Sequence, residues 1–265
     1  MKEKPRSLLT ALRKYPRVAV AFSGGVDSTV LLRAALETHK PEDVLAVTAI
    51  SPSLPEGDVV QIAEVAAEIG VTHRFVRTDE LADEDYRRND EMRCYYCKRR
   101  IFGRLLEETR AAGFGTLVDG SNADDGNVWR PGRKALAECG IPSPLAQAEV
   151  TKAEVRELAR MWGLSVAEKP AAPCLATRFA YGIPLSEVRF RQVDAAEAFL
   201  KGIFPGVSLR VRVHENGLAR IELPPECFSR VMGDIRRQVI NEFRRLGFRF
   251  VTLDMEGFRG GSFDR

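Results

Sequence analysis

Short apolar runs alternate with amphipathic stretches through the first two thirds of the chain. RVAVAF (17–22) reads as a buried strand and DSTVLLRAALETH (27–39) as a helix. The rhythm continues with a strand at VLAVTAI, a helix at EGDVVQIAEVAAEIG and a strand at HRFVRT. CKRRIFGRLLEETRAAG then reads as a helix, in a region from Arg93 to Arg110 that is charged on one side, as a sheet-covering helix should be. A strand at TLVDG and a helix at TKAEVRELARMWG close the series. Strands alternating with helices predict βαβ units, hence an α/β fold with a doubly wound parallel sheet.

The texture changes after Gly182. LSEVRFRQVDAAEAFLKGIF reads as a helix, and SLRVRVHENGLARIEL as two alternating strands joined by an Asn-Gly hairpin turn. One helix over RVMGDIRRQVINEFRRLG and a last strand at FRFVTLDM follow. The pattern predicts an α/β domain at 1–183 and a smaller α+β domain at 184–265, with a Gly-rich tail expected to fray. Alternation also puts Arg210 and Arg212 on one side of their strand.

Composition narrows the class. Forty Lys and Arg against 37 Asp and Glu is too balanced to suggest a nucleic-acid partner. The basic, amphipathic start lacks the apolar core of a signal peptide, and no apolar run approaches the roughly 20 residues that span a bilayer. A soluble, cytoplasmic protein is expected. Five cysteines, an odd number, then suit thiols, ligands or nucleophiles better than a disulfide framework.

The densest chemistry lies between the first strand and first helix, at Ser23-Gly24-Gly25-Val26-Asp27-Ser28. Two glycines admit close backbone approach, while helix-start N–H groups and the Ser23 and Ser28 hydroxyls form an anion cradle. Asp27 would repel a bare phosphate and suits a bridging divalent cation such as Mg²⁺. Neither a Walker lysine motif nor a GxGxxG fingerprint is present. A second polar loop, Asp119-Gly120-Ser121-Asn122-Ala123-Asp124-Asp125, follows the TLV strand, where ligand loops of an open α/β sheet belong.

SGGVDS in this setting resembles the PP-loop ATP pyrophosphatase family, which implies ATP binding, cleavage to AMP and pyrophosphate, and an adenylated intermediate. The resemblance brings Asp119, Ser121, Asn122 and Asp124 close to the nucleotide and Lys152 near the phosphates. RCYYCK, DGSNADD, VWRPGRKALAE, PCLATRFAYG and SLRVRVHENGLARIEL, in this order, are similar to the LarE-type ATP-dependent sacrificial sulfur transferases. That similarity runs over nearly the whole chain. It implies adenylation of pyridinium-3,5-biscarboxylic acid mononucleotide and conversion of its carboxylates to thiocarboxylates, on the route to the nickel-pincer cofactor of lactate racemase. It further implies a homo-oligomer, a substrate phosphate held by Arg210 and Arg212, and acidic site residues at Glu197 and Glu222. Trp129 is a candidate for ring stacking or for the core. A tRNA thiolase or another adenylating ligase is the alternative.

Cys174 occupies the family's sulfur-donor position. A thiolate is a strong nucleophile toward an adenylated carboxylate, and Arg178 is a candidate for stabilising it. Cys94 and Cys97 add a CxxC spacing suited to metal or redox chemistry. With Cys174 they offer three thiolates and one open position, which suits a [4Fe-4S] cluster carrying extra sulfide. A Cys174 spent in the reaction beside an incidental CxxC, or a zinc or disulfide role for the pair, are the other readings.

Overall fold

The computed structural model describes residues 3–127, 131–170, 172–259 and 263. Trp129 lies outside them. In chain order the elements are α1 (Glu3–Leu12), β1 (Val18–Ala21), α2 (Val26–Leu36), β2 (Val44–Ile50), α3 (Glu56–Ile69) and β3 (Thr72–Arg77). Next come α4 (Glu84–Arg87), α5 (Arg93–Ala111), β4 (Thr116–Val118), α6 (Pro131–Glu138), α7 (Pro144–Gln147) and α8 (Lys152–Met161). The last third holds α9 (Glu187–Ile203), β5 (Arg210–His214), β6 (Leu218–Glu222), α10 (Phe228–Met232), α11 (Arg236–Arg245) and β7 (Phe250–Leu253).

The chain divides into two compact units, Met1–Glu80 with Met92–Ala172, and Leu81–Glu91 with Pro173–Arg265. The first is the expected α/β layer structure. Its sheet has the order β3-β2-β1-β4, with Val18 in parallel register to Val44 on one side and to Thr116 on the other. Alternation along β1 sends Val18 and Val20 to one face and Ala19 to the other. Leu8, Val30, Ile62 and Val155, from α1, α2, α3 and α8, pack on the first face. Phe102 and Leu105 from α5 and Leu136 from α6 pack on the second. With helices on both faces, strand order reverses across β1, so the loops after β1 and β4 leave from a topological switch point.

The second unit is built on the order β5-β6-β7. The β5–β6 hairpin forms as its sequence predicts, with Asn216 (φ 57°) and Gly217 (φ 72°) in the left-handed region that its turn requires. β7 pairs with β6 in parallel. The single helix expected over 230–247 is two, α10 and α11, because Gly233 adopts φ −98°, ψ −110° and interrupts the ladder.

This division differs from a boundary at residue 183 in two respects. Residues 173–183 group with the second unit, and an excursion at 81–91 joins them. Asn89 explains the second: fully buried, it donates from Nδ2 to the carbonyls of Ala180 (2.8 Å) and Ile183 (2.9 Å). Its own carbonyl accepts from Gly182 N at 3.0 Å, and Arg87 O accepts from Leu185 N at 2.8 Å.

Candidate active site

The phosphate loop turns directly out of β1. Gly24 sits at φ +65°, and a Cβ there would lie 2.8 Å from Ile62 Cγ1, so glycine is required on both counts. Gly25 caps α2 in an extended conformation, leaving the first-turn N–H groups directed out of the helix end. Ser28 Oγ donates to Gly25 O (3.1 Å), accepts from Ser23 N (3.3 Å) and lies 3.2 Å from Ser23 Oγ. The two hydroxyls are thus gathered at the helix N-terminus, where an anion is favoured.

The second loop reaches the same point from β4. A Cβ on Gly120 would lie 3.0 Å from Ser28 N, so this glycine permits the loop to rest on the first turn of α2. Asn122, buried, donates from Nδ2 to Asp27 Oδ1 at 2.9 Å. Asp27 Oδ2 is ion-paired with Lys152 Nζ. Lys152 starts α8 behind a capping box of Thr151 and Glu154, and its backbone N–H donates to Asp124 Oδ2 at 2.8 Å. Asp119 is buried and accepts from Ser121 Oγ (2.9 Å) and Ser143 Oγ, which makes it a brace of the loop. Ser23, Gly24, Gly25, Asp27, Ser28, Asp119, Ser121, Asn122, Asp124 and Lys152 therefore form one constellation.

Lys169 joins them without having been singled out in the sequence. Its Nζ donates to Gly24 O at 3.3 Å, while Arg156 Nη2 holds its carbonyl at 3.2 Å. Its only sequence signal is the KPAAPC segment, where the cysteine draws the eye first.

The second unit carries Cys174 and the arginines. Cys174 is exposed and starts a 3₁₀ turn, Leu175–Arg178, whose Leu175, Ala176 and Arg178 are buried. Anchored residues thus support a presented thiol. Arg178 donates to Glu197 and to backbone carbonyls of this turn. Glu197 and Glu222, expected to line the site, are buried and engaged by Arg178 and by Arg212 with Arg220. Arg210 makes no ion pair among the described residues; its guanidinium lies over the Phe258 ring and donates to Leu209 O. Burial is the main cause that lowers Arg210 below its ordinary pKa; the charge of Arg178, and less that of Arg212, adds to it, while Glu197 and Glu222 oppose it.

Cys94 and Cys97 lie three residues apart in the first turns of α5, and so on one helix face, Cys94 exposed and Cys97 half-buried. All five cysteines are thiols. Among the described residues no three His, Cys, Asp or Glu side chains converge on a metal position. No described helix is long and apolar enough to cross a membrane.

No protein-family model matches the chain. Among curated proteins it is 38% identical over 262 residues to the pyridinium-3,5-bisthiocarboxylic acid mononucleotide synthase of Lactiplantibacillus plantarum, covering 97% of this chain and 92% of the relative. An uncharacterized protein of Synechocystis sp. is 37% identical over 266 residues, covering 100% of this chain and 98% of its own length. The tRNA-specific 2-thiouridylase MnmA of Trichlorobacter lovleyi is 30% identical over 188 residues, with 58% of this chain and 52% of the relative matched.

Proposed function

Since the chain belongs to the LarE-type family of PP-loop sulfur transferases, we propose that it uses ATP to adenylate a carboxylate of pyridinium-3,5-biscarboxylic acid mononucleotide and converts it to a thiocarboxylate. Two rounds give the bisthiocarboxylic product that enters nickel-pincer cofactor synthesis for lactate racemase. The observation carrying this reading is the convergence of Asn122, Asp27 and Lys152 at the phosphate loop, in a chain that matches a named synthase almost end to end.

In the first half-reaction a substrate carboxylate oxygen bonds to the α-phosphorus of ATP, and pyrophosphate leaves with the electron pair. Charge grows on the leaving group. Ser23, Gly24, Gly25 and Ser28, with Lys152 and Lys169, offer N–H, hydroxyl and ammonium donors for it. Asp27 fits a Mg²⁺ ligand as the carboxylate of this cradle, and Mg²⁺ would neutralise phosphate charge. Asp119, Ser121, Asn122 and Asp124 shape the nucleotide side. Arg210, with Arg212 beside it, takes the substrate phosphate.

In the second half-reaction sulfur bonds to the acyl carbon and the C–O bond to AMP breaks. Cys174, exposed on its turn, delivers that sulfur. If its own sulfur is given up, loss of the Cα proton and cleavage of Sγ–Cβ leave dehydroalanine. By donor chemistry alone, Cys94, Cys97 and Cys174 would be the soft thiolates for a [4Fe-4S] cluster. Such a cluster, when bound, supplies an exchangeable position for sulfide and lets Cys174 persist. The protein acts as a cytoplasmic homo-oligomer.

Anaerobic purification with iron and sulfide analysis, followed by intact mass after turnover, tests the sulfur source. The cluster reading expects about four irons per chain and an unchanged mass after product forms. Iron-free protein that forms product while losing the elements of H₂S at Cys174 contradicts it. The thiouridylase similarity keeps tRNA thiolation as the second reading, favoured only by tRNA binding with a steep salt dependence.

A further inference from the structure

We infer that Glu197 is a positioning residue for the Cys174 turn, acting through Arg178, with Arg212 as a second clamp on the same turn; this rests on Cys174 being the point of sulfur delivery. Arg178 is 3% exposed and Glu197 1%. Their contact is bidentate, Nε to Oε1 at 2.9 Å and Nη2 to Oε2 at 3.0 Å. That leaves Nη1 aimed into the turn, where it donates to Pro173 O (2.7 Å), Cys174 O (3.2 Å) and Thr177 Oγ1 (3.0 Å). Thr177 Oγ1 itself donates to Cys174 O at 2.8 Å.

The third nitrogen of the guanidinium, Nη1, therefore donates to the turn that carries Cys174. Its fork is planar and rigid, so fixing two nitrogens on a carboxylate fixes the direction of the third. Glu197 sets that direction. Its Oε1 also accepts Val211 N at 3.1 Å, which ties the turn to β5 as well as to α9. One residue further along β5, Arg212 places Nε on Glu222 Oε2 (3.0 Å) and donates from Nη1 to Thr177 O at 2.8 Å. Two buried guanidiniums, each oriented by a buried glutamate, thus hold the turn at Pro173, Cys174 and Thr177.

Buried ion pairs are seldom the cheapest way to stabilise a core. A reaction between a presented sulfur and an acyl carbon, however, depends steeply on placement: an error near 1 Å costs about a hundredfold. The clamp meets that demand, because it holds the backbone while the thiol stays exposed.

The test compares Glu197→Gln and Glu197→Asp with wild type in three assays: substrate-dependent pyrophosphate release, thiocarboxylate formation, and the rate of Cys174 alkylation by iodoacetamide read by peptide mass. Gln keeps the shape but sets an amide donor against Arg178; Asp keeps the charge. Glu197→Gln is expected to retain pyrophosphate release within about threefold and to lose thiocarboxylate formation about a hundredfold, with Asp recovering part of the loss. Its alkylation rate should shift about fivefold or more, a readout that needs no substrate. Should Glu197→Gln fail to fold, Arg178→Lys keeps a buried charge beside Glu197, gives up the carbonyl fork, and carries the same expectation. Equal loss of both half-reactions in folded protein, or wild-type product formation and alkylation in the variant, overturns the assignment. Wild-type protein that releases no pyrophosphate with this substrate counts against the proposed function instead, and the alkylation comparison still decides the clamp.

Discussion

Cys174→Ala is expected to lower thiocarboxylate formation by at least about a thousandfold while the protein stays folded and still releases pyrophosphate. The separation follows from where the turn's bonds go. Its backbone makes them: Cys174 O accepts from Thr177 N (3.1 Å), Thr177 Oγ1 and Arg178 Nη1, while the side chain is exposed. Shortening an exposed side chain away from these contacts changes stability by about 0.5 kcal/mol or less. The phosphate loop, in the other unit, keeps its donors. Adenylated substrate should then form and hydrolyse, so AMP appears without thiocarboxylate. Product mass spectrometry beside a pyrophosphate assay measures both halves. A variant that still thiolates at the wild-type rate removes Cys174 from the reaction.

Gly24→Ala is the second large effect, this time on the first half-reaction. Two costs combine at one residue. The left-handed φ of +65° costs an alanine about 1–2 kcal/mol, and a Cβ at 2.8 Å from Ile62 Cγ1 and 3.3 Å from its Cα meets atoms that a helix holds in place. Overpacking of that kind adds about 1–3 kcal/mol. The relief available is a shift of the loop, which moves the Ser23 and Ser28 hydroxyls and the carbonyl under Lys169. Pyrophosphate release should fall by more than about a hundredfold, with a loss in Tm on the order of 10 °C. Gly25→Ala is the internal control. Its φ is −87°, and among the described residues its Cβ would meet only Ser23 Oγ, at 3.4 Å, so a smaller loss is expected. Calorimetry and a pyrophosphate assay on the two variants check the ranking.

Much of this architecture is legible in the amino-acid sequence. Val18 to Ala21 and Val44 to Ile50 read as buried strands because a central parallel strand has no polar face to reveal. SGGVDS and DGSNADD meet because both leave C-terminal strand ends at the switch point, a consequence of topology that alternation alone supplies. The hairpin at Asn216-Gly217 followed from turn chemistry.

What stayed hidden depends on long-range contacts. Arg178 reads as a partner for the neighbouring thiol, yet Glu197, 19 positions away, takes two of its nitrogens. Lys169 reaches Gly24 across 145 positions, and no local pattern encodes that contact. Asn89 ties the 81–91 segment to residues 180–183, so a boundary read from texture alone falls later than the observed division. Gly233 breaks a helix whose apolar period continues on both sides of it.

The most direct measurement of the central claim is a stoichiometry. Purified protein with ATP, Mg²⁺, a sulfide source and pyridinium-3,5-biscarboxylic acid mononucleotide should release pyrophosphate and AMP in equal amounts, one of each for every thiocarboxylate formed, and neither without the pyridinium substrate. Release of ADP and phosphate, or AMP formation that ignores the pyridinium carboxylates, would contradict it.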